Sequence, residues 1–182
     1  MKLDVIQSYG DAHRYYQQLR DSVYEETANT LGGGVILRGV NLRTVQIANS
    51  WQDLEADGYR AHRSTWSWVN AYPLFHKQPA RFEISVWAGS ELCGLCFGKP
   101  SRAKTKLGLN LVEATPVRPN PLSKPVFPVI SYAATLYAYA IGADELCILD
   151  PVEGLISYYM QNGFCEPYGY HGTRIALKKV LK

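Results

Sequence analysis

The sequence lacks any stretch of about twenty apolar residues, which is the length that crosses a bilayer as a helix. Its first ten residues, MKLDVIQSYG, also lack the basic segment and the apolar core of a secretory signal. From these two absences we expect a soluble, cytoplasmic protein with no membrane partner.

Cysteine is scarce, with four residues among 182, which is too few for the disulfide framework of a small secreted protein. Cys93, Cys96 and Cys147 lie within apolar runs, so we expect them to be reduced core residues. Cys93 and Cys96 form a CxxC pair, but positions three apart on a strand point to opposite faces, and a second pair is missing. We therefore predict no metal site.

The sequence also has no large excess of charge of one sign. Its formal net charge is +3, and the basic residues are scattered apart from the tail LKKVLK. This pattern disfavours a nucleic-acid partner, although it is compatible with an anionic small ligand. Since 182 residues, 47% of them apolar, suffice for one core and not comfortably for two, we predict a single domain over 1–182.

The N-terminal third predicts one helix clearly and leaves the rest open. Apolar residues recur at helical spacing from about Asp11 to Leu31, and three glycines follow; these apolar residues are Tyr15, Leu19, Val23 and Tyr24. The next segment, VILRGVNLRTVQIA, is compatible with strands or with part of a helix. In the segment STWSWVNAYPLFHKQ, Ser64 or Thr65 is a candidate cap for a short helix that Pro73 ends or kinks.

From Arg81 onward the pattern predicts alternating strands and helices. RFEISVWAG and ELCGLCFGK form a hairpin signal around Gly89 and Ser90, and LGLNLVEAT is a third strand. A proline-rich segment leads into VISYAATLYAYAIG, which we predict to be a buried helix closed by Gly142. ELCILD is a short strand, and the last segment, CEPYGYHGTRIALKKVL, supplies one or two more strands.

A second helix is predicted between these last strands. Asp150 is its candidate N-cap, Pro151 is at its first position, and Glu153 follows three residues after the cap. Asn162 and Gly163 end it. The whole order predicts an α/β fold with a mixed, mostly antiparallel twisted sheet of about six to seven strands and helices on both faces.

Two segments resemble the GCN5-related N-acetyltransferase (GNAT) superfamily. SYYMQNGF, residues 157–164, is similar to the family's helix-ending signature of an aromatic residue, three residues and then Gly-Phe, with Tyr159 in the tyrosine position. VRPNPLSKPVF, residues 117–127, aligns with the family's stretch V-x-P followed by R-G-x-G-x-G/A. Val117 and Pro119 match that stretch, and Lys124 stands at the variable position between the glycines.

The second segment also departs from the family pattern. Leu122 replaces the usual Arg or Gln, and Ser123, Pro125 and Phe127 replace the glycines. Those glycines let backbone amides approach the coenzyme A pyrophosphate at a helix N-terminus, and proline cannot donate such a bond. The Ser123 hydroxyl and the Lys124 ammonium are two further possible donors to phosphate. The backbone amides that remain as donors are those of Leu122, Ser123, Lys124, Val126 and Phe127.

The resemblance covers residues 81–182, while residues 1–80 are divergent and would supply a first strand, two helices and much of the acceptor side. It implies an acyl-CoA-dependent N-acyltransferase with acetyl-CoA or another acyl-CoA as co-substrate. The acceptor would be an amine of a small molecule, a peptide or a protein, and a homodimer is possible. A catalytically silent relative that binds or assembles, and a toxin-like enzyme acting on charged tRNA, are the alternatives.

Two residues are candidates for the chemistry that the resemblance implies. Glu113 lies four residues before Val117, where some family members place a carboxylate base. Strict alternation puts it on one face with Leu107, Leu109 and Leu111, half buried and with a raised pKa, but a family bulge in this strand would change that facing. A carboxylate hydrogen-bonded to a neighbour at the end of a strand is the alternative interpretation of Glu113.

Tyr159 is the candidate acid, because it lies on the apolar stripe of its helix, whereas Tyr158 lies off that stripe. A core tyrosine with a satisfied hydroxyl is the alternative. Other side chains are less specific candidates. His62, His76 and His171 are possible bases, and the aromatic group Trp66, Trp68, Tyr72 and Phe75 is either the wall of an acceptor pocket or, as we favour, mostly core.

Overall fold

A computed structural model describes residues 8–54, 65–165, 168–170 and 174–181. The elements of these residues, in chain order, are α1 (Tyr9–Leu31), β1 (Val35–Arg38), α2 (Leu42–Ser50), α3 (Trp68–His76), β2 (Phe82–Ala88), β3 (Glu91–Pro100), β4 (Lys106–Ala114), α4 (Val126–Ile141), β5 (Glu145–Leu149), α5 (Ile156–Gln161), β6 (Tyr168–Tyr170) and β7 (Arg174–Val180). Short 3₁₀ turns cover Trp51–Asp53 and Glu153–Leu155. No helix among the described residues is both long and apolar enough to cross a membrane.

One sheet holds the seven strands in the order β1-β2-β3-β4-β5-β7-β6. Its pairs are antiparallel except β4–β5, which is parallel. One core cluster packs α1, α4 and α5 on one face of the sheet, and a second packs α2 and α3 on the opposite face. We call these the α4 face and the α3 face. The predicted fold class, a mixed and mostly antiparallel sheet with helices on both faces, is confirmed.

The N-terminal third contains both kinds of structure that its sequence left open. The predicted helix is α1, although Tyr16 rather than Tyr15 faces the core. The ambiguous segment divides into β1, which pairs with β2, and α2, which Asn41 caps through its side chain. Together with α3, these elements are the first strand and two helices that the family resemblance implied. The helix α1 is an additional element ahead of them.

The short aromatic helix begins later than predicted. Ser67 is the N-cap of α3, because its hydroxyl accepts a hydrogen bond from the Asn70 amide at 3.2 Å. Thr65 lies ahead of that cap, and Ser64 lies outside the described residues. Pro73 is inside α3 rather than at its end, a position that removes one backbone donor from the helix.

Two β-bulges change which face the strand residues occupy. In the β2–β3 hairpin the register shifts so that Val86 pairs with Gly94 and Trp87 with Leu92. The extra residue, Cys93, consequently joins Cys96 in the core cluster of the α4 face. The expectation that these cysteines point to opposite faces is therefore wrong, because a bulge adds one residue to one strand and breaks the alternation.

The bulge between β3 and β4 has a larger effect on the candidate site. Phe97 pairs with Leu111 but Gly98 pairs with Leu109, which leaves Asn110 as the extra residue. Leu107 and Leu109 pack in the core of the α4 face, whereas Leu111 packs on the α3 face. Glu113 therefore shares a face with Leu111 and not with the other two leucines, contrary to strict alternation.

The two C-terminal helices differ in how well the sequence predicted them. Gly142 ends α4 with the left-handed φ of 79° that was expected. Asp150, however, is not the N-cap of a helix. It has a φ of 48°, and its amide donates to the Ile175 carbonyl of β7, so it still belongs to the sheet edge. An N-cap residue needs extended backbone, and the α-helix consequently begins only at Ile156.

A buried ionic network attaches α1 to the start of β2. Arg20, almost fully buried, donates to the carbonyls of Pro79 and Arg81 at 3.0 Å each. Arg81 in turn binds the Glu83 carboxylate through two nitrogens, at 2.7 and 2.9 Å. Buried charges are stable only when they are paired in this way, so the network fixes the position of α1 against the sheet.

Candidate functional site

The strand β4 continues beyond its pairing with β5. The parallel pairing runs from Lys106–Glu145 to Leu109–Ile148, and β5 itself ends at Leu149. Among the described residues, Leu111 and Val112 of β4 have their strand pairing with β3. A strand that continues past the end of its neighbour leaves backbone N–H and C=O groups on that edge without a strand partner. We call the edge of β4 beyond Leu109 the opening between β4 and β5, and an extended ligand can lie against its residues 110–112.

The loop that leaves this edge folds back on itself through two polar side chains. The amide of Leu122 donates to the Asn120 side-chain oxygen at 2.9 Å, which is an Asx turn. The Arg118 guanidinium donates to the carbonyls of Thr115 and Val117, at 2.9 Å each. The amide predicted to bind a cofactor at Leu122 is thus already occupied, and its side chain is buried in the core of the α4 face.

The helix α4 begins directly after this loop with unsatisfied backbone donors. Its N-cap is Pro125, which provides no side-chain cap. Within the part of the chain that the structure describes, the amides of Ser123, Lys124, Val126 and Phe127 have no hydrogen-bond partner. Free N–H groups at a helix N-terminus, together with the helix dipole, favour an anion.

Gly94 in β3 allows this helix end to approach the sheet closely. A Cβ atom built at Gly94 would lie 2.1 Å from Cγ1 of Val126, so only glycine fits there. The side chains of Val126 and Phe127 are both buried against the α4 face. These two predicted cofactor-binding residues therefore anchor the helix through their side chains and present only their amides to a ligand.

Lys124 has a partner that the sequence did not predict. Its ammonium group donates to the Leu31 carbonyl at 2.6 Å and to the Gly32 carbonyl at 3.4 Å. These are carbonyls at the C-terminus of α1, where a positive charge is favourable. Ser123 and Val117 are exposed, so the hydroxyl of Ser123 and the backbone at Val117 remain accessible from the loop surface.

Tyr159 lies beneath this loop. Its ring is 7% exposed, against 37% for Tyr158, and it packs at 4.9 Å from the ring of Phe127. The predicted orientation of the two tyrosines is confirmed. Burial, and then the neighbouring Tyr158 and Cys96, raise the pKa of Tyr159 to about 12, and its hydroxyl has no hydrogen-bond partner among the described residues. A protonated, unoccupied hydroxyl is what an acid requires.

Glu113 lies on the other face of the sheet. It is 8% exposed, and its Oε2 accepts a hydrogen bond of 2.6 Å from the indole Nε1 of Trp68 in α3. Its cross-strand neighbour is Leu95, which is fully buried. The sequence thus predicted the burial of Glu113 and gave a hydrogen bond to a neighbour as its alternative interpretation. Glu113 occupies the face that a bulge in this strand gives, which was the alternative to strict alternation. Trp68 as the partner was not predicted. Residues 45 positions apart leave no local pattern that would reveal such a pair.

The aromatic group predicted near the acceptor side belongs to the core of the α3 face. Trp68 is fully buried, and Trp66, Tyr72 and Phe75 are partly buried and pack against it. Among the candidate histidines, His76 lies near Arg81, with its Nδ1 3.4 Å from Arg81 Nη2. His62 and His171 lie outside the described residues. No group of three His, Cys, Asp or Glu side chains in the described ranges could hold a metal ion.

The predicted site residues therefore form two groups. The loop donors at the start of α4 and Tyr159 lie together on the α4 face, joined through the ring of Phe127. Glu113 and Trp68 lie together on the α3 face. The strand β4 links the two groups, because it contains Glu113 and its pairing with β5 ends at Leu109.

Comparison with other proteins identifies the fold. No protein-family model matches the chain, and no curated protein matches its sequence. Among solved structures, the PaiA N-acetyltransferase from Thermoplasma acidophilum in complex with coenzyme A matches 80% of this chain and 98% of its own, with a TM-score of 0.55 and 16% identity.

Two further acetyltransferases match over similar lengths. An acetyltransferase from Thermus thermophilus matches 81% of this chain and 97% of its own, with a TM-score of 0.56 and 14% identity. The dodecameric spermidine N-acetyltransferase from Vibrio cholerae matches 81% and 94%, with a TM-score of 0.55 and 13% identity. These matches confirm the fold that the two sequence segments predicted.

Proposed function

We propose that this chain, which has the fold of the GNAT acyl-CoA N-acyltransferases, transfers an acetyl or other acyl group from acyl-coenzyme A to an amine. The amine would belong to a small molecule, a peptide or a protein. The observation that supports the proposal is the opening between β4 and β5, where residues 110–112 of β4 lie beyond the last pair with β5, together with the uncapped N-terminus of α4.

Donor binding is assigned to that edge and to the start of α4. The pyrophosphate of coenzyme A would accept hydrogen bonds from the amides of Ser123, Lys124, Val126 and Phe127, where the helix dipole adds partial positive charge. Leu122 and Val117 would shape the loop that presents these amides. The amide groups of the pantetheine arm can pair with residues 110–112 of β4, as a strand would.

The acyl group would then lie in the opening, with one proton-transfer group on each face of the sheet. Glu113 takes a proton from the substrate ammonium group on the α3 face, which leaves a neutral amine. The amine nitrogen attacks the thioester carbonyl carbon, the carbon–sulfur bond breaks, and the departing thiolate takes a proton from the Tyr159 hydroxyl on the α4 face. The nitrogen of the new amide loses its second proton, which restores the Tyr159 hydroxyl through solvent, and Glu113 releases its proton to solvent. The products are an amide, free coenzyme A and one proton, with no covalent acyl-enzyme.

The fit of coenzyme A to the loop is supported by the unpartnered amides and limited by the prolines. Pro125 and Pro128 cannot donate, so fewer amides reach the pyrophosphate than in a glycine-rich loop. This departure is the reason to retain a second candidate, in which the chain is a catalytically silent GNAT-fold module for binding or assembly.

Calorimetric titration with coenzyme A and with acetyl-CoA, beside thermal unfolding in the same ligands, separates the two candidates. We expect heat of binding and a higher unfolding temperature with either ligand, since a ligand that binds only the folded state stabilises it. The absence of both effects would favour the silent module. ATP at the same concentration is the control for nonspecific phosphate binding.

A further inference from the structure

The contact between Trp68 and Glu113 joins a helix to the central strand of the sheet. The indole Nε1 donates to Glu113 Oε2 at 2.6 Å, and both side chains are buried. A tryptophan has a single polar hydrogen and no acceptor. Trp68 donates this hydrogen to a carboxylate and not to a backbone carbonyl or water. Hydrogen bonds to ionised carboxylates are shorter and stronger than neutral ones.

The orientation of the Trp68 indole is fixed by its surroundings. The ring contacts Trp66 edge-on, with 5.9 Å between ring centroids, and Phe97 of β3 at 5.6 Å. Trp68 is the first residue of α3 and directly follows Ser67, the N-cap. A buried aromatic ring in such contacts has one available rotamer, so the direction of its N–H is set by the fold.

We propose that Trp68 is a positioning residue for the base of the acyl transfer: it holds Oε2 of Glu113 and thereby fixes the plane of the carboxylate and favours its ionised form. This inference rests on the proposed function. A hydrogen bond to the charged form stabilises that form against the cost of burial. The cross-strand Leu95 offers no polar group that could do the same.

Other titratable groups of α3 lie farther along the helix. The rings of Tyr72 and His76 are tilted by 31°, with 4.9 Å between their centroids, and His76 faces Arg81. Across the sheet from Glu113, the strand β3 contributes the apolar Leu95 and Phe97 to the α3 face. Trp68 Nε1 donates to the carboxylate from this helix.

The chain supplies a matched pair of variants. Trp68→Phe keeps an aromatic ring and removes the N–H that Glu113 accepts. Trp66→Phe removes the neighbouring indole N–H, whose nitrogen is buried and has no hydrogen-bond partner among the described residues. Both variants lose one indole from the same cluster, but only the first changes the carboxylate.

In steady-state acyl transfer we expect Trp68→Phe to lower kcat by about tenfold to a hundredfold, the range for losing a hydrogen bond to a charged group. KM for the acyl-CoA should stay unchanged, because the donor binds at the α4 face. The acid limb of the pH-rate profile should move to higher pH. Trp66→Phe should keep kcat within about twofold of the wild type.

A second measurement separates positioning from loss of packing. The carboxyl band of Glu113 can be isolated by subtracting the infrared spectrum of Glu113→Gln, and its pH titration needs no substrate. The pH at the midpoint of this titration should rise in Trp68→Phe and should not change in Trp66→Phe. If Trp68→Phe fails to fold, 3-benzothienylalanine incorporated at position 68 replaces the indole N–H by sulfur with little change in ring shape.

The outcomes are distinct. If the wild type transfers acyl groups, and Trp68→Phe and the benzothienyl variant match it in kcat, pH profile and carboxyl midpoint, the positioning role is wrong. The proposed function then still stands. A wild type that neither binds acyl-CoA nor transfers an acyl group overturns the proposed function, and the role of Trp68 with it. Slower transfer with a raised midpoint, in the Trp68 variants alone, supports the role.

Discussion

At the scale of single residues, burial has different chemical consequences at Tyr159 and at Glu113. Burial of a phenol favours its neutral form, so the raised pKa of Tyr159, about 12, keeps its proton available at neutral pH. Burial of a carboxylate would favour its protonated form as well, but the Trp68 N–H on Glu113 acts in the opposite direction. Under the proposed function, Tyr159 would give a proton and Glu113 would take one.

Tyr159→Phe should preserve the fold and the affinity for coenzyme A and lower the chemical step. The ring stays packed on Phe127 while the hydroxyl is lost, and losing a general acid costs roughly a hundredfold to ten thousandfold. Single-turnover acyl transfer measures the effect. Tyr158→Phe is the matched control, since Tyr158 is more exposed. Equal rates for both variants and the wild type would make Tyr159 a structural residue only.

Glu113→Gln should reduce turnover and flatten the acid limb of the pH-rate profile with little loss of stability. The amide oxygen of glutamine can still accept from Trp68 Nε1, so the shape and the hydrogen bond are retained while the basic group is removed. Rates across about pH 6 to 9 and a urea unfolding curve measure both effects. A profile identical to that of the wild type would show that another group accepts the proton.

At the scale of elements, the site depends on where strands stop pairing and on how loops are held. The parallel pair β4–β5 ends at Leu109 and Ile148, directly before the bulge at Asn110. On the other side of the loop, Lys124 links the start of α4 to the C-terminus of α1. A helix that precedes the first strand thereby contributes to the geometry of the proposed donor site.

Lys124→Ala should have two effects that can be measured separately. Removing an ammonium from the carbonyls of Leu31 and Gly32 should cost about 1 kcal/mol of unfolding free energy, or roughly 2–4 °C in Tm. Affinity for coenzyme A should fall by about threefold to tenfold, since a charge near the pyrophosphate is lost. Lys99→Ala, at an exposed position of β3, is the control. Lower stability with unchanged affinity for coenzyme A would show that Lys124 only links α4 to α1.

The sequence predicts elements well where the signal is local. Alternation around Gly89 and Ser90 predicted the hairpin, and alanine with Gly142 predicted α4, because each pattern records contacts between residues close in the chain. The orientation of Tyr159 followed from the same kind of local stripe. The prediction of Asp150 as a helix N-cap was wrong because its amide donates to the Ile175 carbonyl of β7. That strand is distant in the sequence, so no local pattern records the contact.

The remaining features of the site depend on long-range pairing. The bulge at Asn110 exists only in the register between β3 and β4, and it decides which face Glu113 occupies. The partners of Lys124 and Glu113 lie 93 and 45 positions away. The dipeptide Asn120-Pro121 is a turn signal that could have identified the Asx turn of the loop. No comparable signal marks Trp68.

At the scale of the whole molecule, the sheet separates the two halves of the proposed chemistry. The α4 face holds the loop donors and Tyr159, and the α3 face holds Glu113 with its tryptophan. A thioester bound at the opening, where β4 continues beyond its last pair with β5, would have to meet Glu113 from one face and Tyr159 from the other. The same packing buries tyrosines on the α4 face, and burial raises the pKa of Tyr24 and of Tyr137 as well as that of Tyr159.

These tyrosines should make stability decline at alkaline pH. The unfolded chain ionises its tyrosines near pH 10, whereas folded Tyr159 ionises at about 12. The stabilisation is therefore complete below about pH 10 and is lost as pH rises toward 12, by about 2–3 kcal/mol for Tyr159. Urea unfolding at about pH 8 and about pH 11 measures the loss. Tyr159→Phe should lose less than the wild type, and equal losses would contradict the assignment.

Detection of the reaction products tests whether acyl transfer takes place at the opening between β4 and β5. Wild type and the double variant Glu113→Gln, Tyr159→Phe are incubated with acetyl-CoA and a panel of primary amines, with hydroxylamine as a minimal acceptor. Free thiol and acylated amine are then quantified, the latter by mass spectrometry. We expect amine-dependent release of coenzyme A matched by acylated product in the wild type, and loss of both in the double variant. A wild type that binds acetyl-CoA yet forms no more acylated product than the double variant would contradict it.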